Sequence, residues 1–206
     1  MQNNKIIVGI TQGDSNGIGY EVIIKALADP RILDQFTPVI YGSSKLFGFY
    51  RKTIPEVEQM DTNAINSASE AHAKRVNIVN CLPENTFAEP GQATAESAKS
   101  AIKSLEVAMK ELREGKIDVL VTGPINKKAM SNEGFGFPGH TEFIQNYFGV
   151  KDVAMVMVSH RLKLAVVTGH IQLKDVLHKS QKIRFSASSD CSTNLSSRIS
   201  SWISRA

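Results

Sequence analysis

Apolar and polar positions follow two periods along most of this chain, and together they predict strands and helices in alternation. Ile6 to Thr11 is a short β-branched run stopped by Gly13, the pattern of a strand buried on both faces. From Gly17 to Leu27, Ile18, Val22, Ile23 and Leu27 recur at helical spacing, so the opening predicts strand, glycine loop, helix. Val39-Ile40-Tyr41 predicts a second strand ending at Gly42, with Ser43 and Ser44 placed to cap a helix to about Lys52. Val76-Asn77-Ile78-Val79 repeats the strand signal after a polar stretch. The strongest helix runs from Ala93 to Glu114, where Ala98, Ala101, Ile102, Leu105, Ala108, Met109 and Leu112 form one stripe and Gly115 ends it. Ile117 to Val121 is a further strand, and it runs into the break Thr122-Gly123-Pro124. Val153 to Val158 and Leu162 to Thr168 predict an antiparallel pair joined by a tight turn at Ser159-His160-Arg161. The alternation predicts α/β layering, in which ligands gather beyond the carboxyl ends of the strands.

At Ser180 the pattern stops: ten of the last 27 residues are serine, the apolar periodicity is lost, and Trp202 stands without apolar support. The 206 residues are 42% hydrophobic and 21% charged, an ordinary globular composition that excludes a disordered chain, collagen or a disulfide scaffold. A net charge of +4 and a pI near 9.0 raise nucleic acid, an anionic membrane or a phosphorylated substrate as partners. Location narrows that choice. Residues 180–206 carry four basic residues and one acidic, a net +3, whereas residues 1–179 carry twenty basic and nineteen acidic, a net +1. With 7% aromatic residues and no basic stripe interleaved with them, no nucleic-acid partner is expected. Cys81 and Cys191 form no CxxC pair and read as ordinary thiols in a reducing compartment, so a cytoplasmic location is expected. The run Ile6-Ile7-Val8 is too short for a signal-peptide core or a membrane span, and no membrane partner is expected.

Four segments carry candidate chemistry. Thr11 to Glu21, TQGDSNGIGYE, is a glycine loop entering a helix, where free backbone N–H groups can hold an anion; the plainer reading is a tight turn with close strand–helix packing. In Thr122 to Lys128, TGPINKK, a strand end meets a helix start with two lysines near any bound anion, or forms a solvated basic turn. Phe137 to Phe143, FPGHTEF, sets the His140 imidazole beside the Thr141 hydroxyl at a helix start, or is a helix cap with an incidental histidine. Val166 to His170 places a histidine just past a strand, able to face a metal or a substrate, although one histidine does not make a metal site. His72, His160 and His178 have no such setting and read as surface residues.

These four motifs, in this order from Lys5 to about Lys179, resemble the 4-hydroxythreonine-4-phosphate dehydrogenase (PdxA) family. The family's opening pattern is close to TPGDPAGIGPE, and this chain departs from it at Gln12, Ser15, Asn16 and Tyr20. TGPINK, PGHTEF and TGHIQLKDV are the other matches. The resemblance implies a three-layer α/β/α fold like that of isocitrate and isopropylmalate dehydrogenases, incomplete at the C-terminus. It further implies a homodimer with a shared active site and a small phosphorylated substrate. The implied reaction is NAD-dependent oxidation of the C3 hydroxyl of 4-phosphohydroxy-L-threonine, followed by loss of the carboxylate as CO2. By the same resemblance His140 and Thr141 contact the substrate, and His170 is one of three ligands to a divalent metal (Zn, Mg or Co). Lys127, Lys128 and the loop at Asp14 are lesser candidates for lining the cleft. Relatives sharing these motifs oxidise other 4-phosphorylated hydroxy acids or dihydrodiols.

The other two metal histidines, much of the NAD site and several substrate contacts belong to later parts of the family pattern that have no match here. Residues 1–179 are therefore expected to form the family-like α/β region and residues 180–206 a separate Ser-rich tail. Back-translated from Lys179 and read one nucleotide out of phase, the tail can yield ITKDSILSKLRLFNQSLKQDF, which is amphipathic at helical spacing. The tail is thus expected to be out of frame, and activity impaired. A competing expectation is a non-catalytic module that binds a phosphate ligand or dimerises.

Overall fold

The computed structural model describes residues 5–57, 60–151 and 153–166, with 172 and 174. His170, His178, Cys191, Trp202 and the 179/180 boundary lie outside the described residues. The chain divides into two compact units, residues 1–148 and 149–206.

The first unit is built on a parallel sheet of β1 (Ile6–Thr11), β2 (Phe36–Gly42), β3 (Thr62–Ile65), β4 (Val76–Asn80) and β5 (Val119–Thr122), in the order β3-β4-β2-β1-β5. Its helices are α1 (Gly19–Ala26), α2 (Ile32–Gln35), α3 (Ser44–Arg51), α4 (Ala95–Arg113), α5 (Lys127–Asn132) and α6 (His140–Phe148). Side chains alternate across each strand, and this sends one set to each face of the sheet. Val8, Ile10, Ile40, Val76 and Ile78 pack with Tyr20, Ile23 and Ile24 of α1 and Leu46, Phe47 and Tyr50 of α3. Val39, Tyr41, Val79 and Ile117 pack on the opposite face, where Ala108 of α4 lies. A third cluster joins Ala101, Leu105 and Met109 of α4 to Met130, Phe135 and Phe143. The arrangement is three layers, α/β/α: the alternating pattern predicts the α/β layering, and the family resemblance implies the three layers.

Several boundaries differ from the sequence reading for identifiable reasons. The first helix starts at Gly19 rather than Gly17, because Gly17 donates its N–H to the Asp14 carbonyl in a turn at 3.1 Å. The last strand of the sheet starts at Val119 rather than Ile117; the Ile117 side chain instead fills the space above Gly9. The edge strand β3 lies in the stretch that reads as polar. Thr62, Asn63 and Ala64 are at least partly exposed, and only Ile65 is buried, so no alternating pattern marks it.

In the second unit, β6 (Met155–Val158) and β7 (Lys163–Val166) pair antiparallel. The turn between them is closed by Ser159, whose N–H donates to the Leu162 carbonyl at 2.8 Å. No helix among the described residues is long and apolar enough to cross a membrane.

Candidate functional site

From β1 the chain runs outward to β2 and on to the edge strand β3, fills the place between them with β4, then returns along α4 to place β5 on the other side of β1. After β1 the chain passes to α1 on one face of the sheet. After β5 it passes to α5, which packs against α4 on the opposite face. A crevice opens at such a switch point, at the carboxyl ends of the two strands. The glycine loop and the Thr122-Gly123-Pro124 break are therefore neighbours, although about a hundred residues separate them.

Backbone contact between these loops is close. Gly123 donates its N–H to the Thr11 carbonyl and to Thr11 Oγ1, both at 3.1 Å, and Asp14 donates its N–H to the Pro124 carbonyl at 2.8 Å. Gly13 has φ +71°, a conformation that favours glycine. Asp14 Oδ1 accepts the Asn16 N–H at 3.0 Å and fixes the next turn of the loop. Glycine here meets a packing need, which is the plainer of the two readings of this loop.

The four departures from the family pattern are buried and tied into their surroundings. The Tyr20 hydroxyl donates to Gln12 Oε1 and accepts the Ser43 N–H at 2.9 Å. Burial above all pushes the Tyr20 phenol far above its ordinary value, so it stays protonated. Asn16 Nδ2 donates to the Gln92 carbonyl (3.0 Å) and Thr94 Oγ1 (3.1 Å), and its Oδ1 accepts the Glu89 N–H (2.9 Å). The loop is thereby fastened to the segment that enters α4, with Thr94 as the α4 N-cap. Ser15 contributes its carbonyl, which accepts the Tyr50 hydroxyl at 2.6 Å. Gln12 Nε2 and Ser15 Oγ are buried and have no hydrogen-bond partner among the described residues.

The TGPINK and PGHTEF segments meet on the α4 side. Asn126 caps α5 by accepting the Ala129 N–H at 3.0 Å, which presents Lys127 at the first turn. Lys127 Cε and Nζ both lie 3.8 Å from the position of a Cβ on Gly139, the residue before His140. Helix α6 is held by ring contacts of Phe143 with Phe135 and Phe137, at centroid separations of 5.3 and 5.4 Å, and by Arg113 stacked 4.2 Å over Tyr147. His140 is half-buried and Thr141 exposed. Burial, and then the Lys127 ammonium, hold His140 below the ordinary imidazole value, so it is largely neutral at pH 7. The structure thus brings together Lys127, His140 and Thr141, with the glycine loop bonded to the strand end that precedes Lys127. Lys128 is exposed on the same helix, and His72 and His160 are exposed elsewhere.

Among the described residues no group of three or more His, Cys, Asp or Glu side chains is placed to hold a metal ion. The one metal ligand assigned by resemblance, His170, lies outside them.

A concavity of about 690 Å³ opens between the segment after β4 and α4; Cys81, Phe87, Lys99 and Lys103 are among its lining residues. None of the four motifs lines it. Burial pushes the Cys81 thiol up to about 12, which keeps it protonated at neutral pH. The sequence carried no signal of this cleft, which depends on a loop folding against a helix.

Fold and site together define a parallel α/β protein in which the glycine loop after β1 and the Thr122-Gly123-Pro124 break after β5 meet at the strand switch point. The family model described as pyridoxal phosphate biosynthetic protein PdxA matches residues 34–198, extending into the Ser-rich segment, and the chain belongs to that family. A 4-hydroxythreonine-4-phosphate dehydrogenase of Bacteroides thetaiotaomicron is 43% identical over 177 residues, covering 85% of this chain and 48% of that protein. A D-threonate 4-phosphate dehydrogenase of Cupriavidus necator is 32% identical over 176 residues, covering 84% of this chain and 52% of that protein. Among solved structures, a 4-hydroxythreonine-4-phosphate dehydrogenase from Burkholderia phymatum aligns with a TM-score of 0.76 at 31% identity, covering 86% of this chain and 54% of that one. The chain spans about half the length of the curated relatives it matches.

Proposed function

We propose that this chain supplies the crevice of an NAD-dependent dehydrogenase acting on 4-phosphohydroxy-L-threonine in pyridoxal 5'-phosphate biosynthesis. The observation that carries this reading is the convergence of Lys127, neutral His140 and Thr141 at the switch point, in a chain 43% identical to a 4-hydroxythreonine-4-phosphate dehydrogenase. The substrate's C3 hydroxyl is oxidised to a ketone as hydride passes to NAD; the resulting 3-oxo acid loses CO2 to give 3-amino-2-oxopropyl phosphate. A bound divalent cation would supply Lewis-acid polarisation of the hydroxyl and carboxylate. In this reading His140 and Thr141 bind the substrate, His140 as a neutral imidazole that accepts or donates one hydrogen bond, and Thr141 through its hydroxyl. His170 is proposed as one metal ligand. The working protein is proposed to be a cytoplasmic homodimer whose subunits share the active site.

A second substrate is supported by the D-threonate 4-phosphate dehydrogenase of Cupriavidus necator, 32% identical to this chain. Both candidate substrates carry a phosphoryl group and a carboxylate, so the crevice chemistry is common to them. Turnover by these 206 residues alone is proposed to be impaired, because the matched motifs include only one of the three metal histidines. An out-of-frame origin for residues 180–206 remains part of the proposal, and the nucleotide sequence across Lys179 tests it.

The activity test is NADH formation by purified protein with each phosphorylated substrate and a divalent cation, alongside direct binding of each. Reduction of NAD supports the enzyme and ranks its substrates. Slow NAD reduction supports the impaired enzyme, saturable binding with no reduction at all supports a binding module, and failure to bind either compound removes the proposal.

A further inference from the structure

Lys127 occupies a position that the stability of its own helix does not explain. It opens α5, where the helix dipole disfavours a cation, and no acidic residue shares that first turn. Lys128 follows it and adds a second positive charge. Lys127 is exposed and, like Lys103 and Lys128, makes no ion pair among the described residues, whereas Lys25, Lys99 and Lys116 each have a carboxylate within 3.3 Å. Its side chain instead extends to the α6 side, where the Cε and Nζ lie 3.8 Å from a Cβ position on Gly139. Beside it are the half-buried His140 imidazole and the exposed Thr141 hydroxyl, both able to donate a hydrogen bond. The other charged group at this point is Glu142, whose Oε2 lies 3.4 Å from the same Cβ position without pairing to Lys127.

We propose that Lys127 receives an oxyanion of the substrate, with His140 and Thr141 binding the same ligand beside it. This deepens the dehydrogenase reading and rests on it. A lysine suits the role because its ammonium is a compact point charge with three donors on a flexible stem. The shared chemistry is an anionic oxygen, supplied by either the phosphoryl group or the carboxylate of the substrate. Binding there also changes the field at His140. The unpaired ammonium disfavours imidazolium, whereas an ammonium neutralised by an oxyanion no longer does. Ligand binding is therefore expected to raise the protonation midpoint of His140.

The test follows the His140 imidazole resonances by NMR in the wild-type chain and in Lys127→Met, Lys127→Arg and Lys110→Met. Each protein is titrated with inorganic phosphate, with 4-phosphohydroxy-L-threonine and with unphosphorylated 4-hydroxy-L-threonine. Affinity for the phosphorylated substrate is expected to fall roughly tenfold or more in Lys127→Met and to be largely restored in Lys127→Arg. Lys110→Met, which removes a charge from the exposed end of α4, is expected to bind as the wild type does. A Lys127→Met defect confined to the two phosphate-bearing ligands assigns the phosphoryl group, and an equal defect with 4-hydroxy-L-threonine assigns the carboxylate. Wild-type affinity in Lys127→Met, or an equal loss in Lys110→Met, overturns the assignment to Lys127 and leaves the dehydrogenase reading standing. Absence of binding to all three ligands by the wild-type chain overturns both.

Discussion

Gly13 and Gly123 stand against one another at the carboxyl ends of β1 and β5. A Cβ on Gly13 would come within 2.2 Å of the Pro124 carbonyl oxygen and 2.8 Å of the Gly123 carbonyl carbon. One on Gly123 would come within 2.6 Å of the Thr11 carbonyl oxygen. These obstacles are backbone atoms, so no rotamer change relieves them. Gly13→Ala combines that clash with a positive φ and is expected to destabilise the first unit by about 3 kcal/mol. Gly48→Ala, in α3 with nothing within 4 Å of the new methyl, is expected to be neutral or stabilising by up to ~1 kcal/mol. Urea denaturation of the two variants beside the wild type checks the contrast.

Tyr20 and Gln12 make a buried pair that only the fold reveals. Tyr20→Phe leaves Gln12 Oε1 and the Ser43 N–H without the hydroxyl that satisfies them, at an expected cost of about 2 kcal/mol. The phenol's folded value is raised, so its contribution is intact below the unfolded tyrosine value near pH ~10 and is lost as pH rises above it. The wild type should lose stability above about pH 10 more steeply than Tyr20→Phe, as measured by chemical denaturation at each pH.

Glu111 has the opposite sign. Burial raises its carboxyl, but hydrogen bonds from the Ser67 hydroxyl (2.6 Å), the Tyr41 hydroxyl (2.7 Å) and the Ala68 N–H (3.0 Å), with Lys116 nearby, outweigh burial and hold it below the usual range. The stability this gives is present above the unfolded glutamate value near ~4.3 and is lost as pH falls through the lower folded value. Glu111→Gln is expected to cost about 1–3 kcal/mol at neutral pH and to flatten the acid limb of the stability profile. Denaturation from neutral pH down into the acid range tests both effects.

The sheet was legible in sequence wherever both faces of a strand are buried. Val39-Ile40-Tyr41 is an apolar run, and Val76 to Val79 is apolar apart from the buried Asn77, because helices cover both sides. β3 escaped notice as an edge strand with one buried side chain. The segments that meet around Lys127 were visible in the sequence as motifs, but their geometry was not. Nothing in the spacing shows that Lys127 reaches Gly139, since that contact depends on α5 and α6 both packing on α4 through Met130, Phe135 and Phe143. Asn16 likewise reads as one polar residue among glycines, although it fastens the loop to residues 89–94.

Binding of a phosphorylated hydroxy acid through His140 is the step on which the proposed function depends. Calorimetric titration of the wild-type chain and His140→Ala with 4-phosphohydroxy-L-threonine at neutral pH tests it most directly. The wild type is expected to bind saturably, and the variant to bind roughly tenfold to a hundredfold more weakly. Equal affinity in the two proteins, or no binding by the wild type, would contradict it.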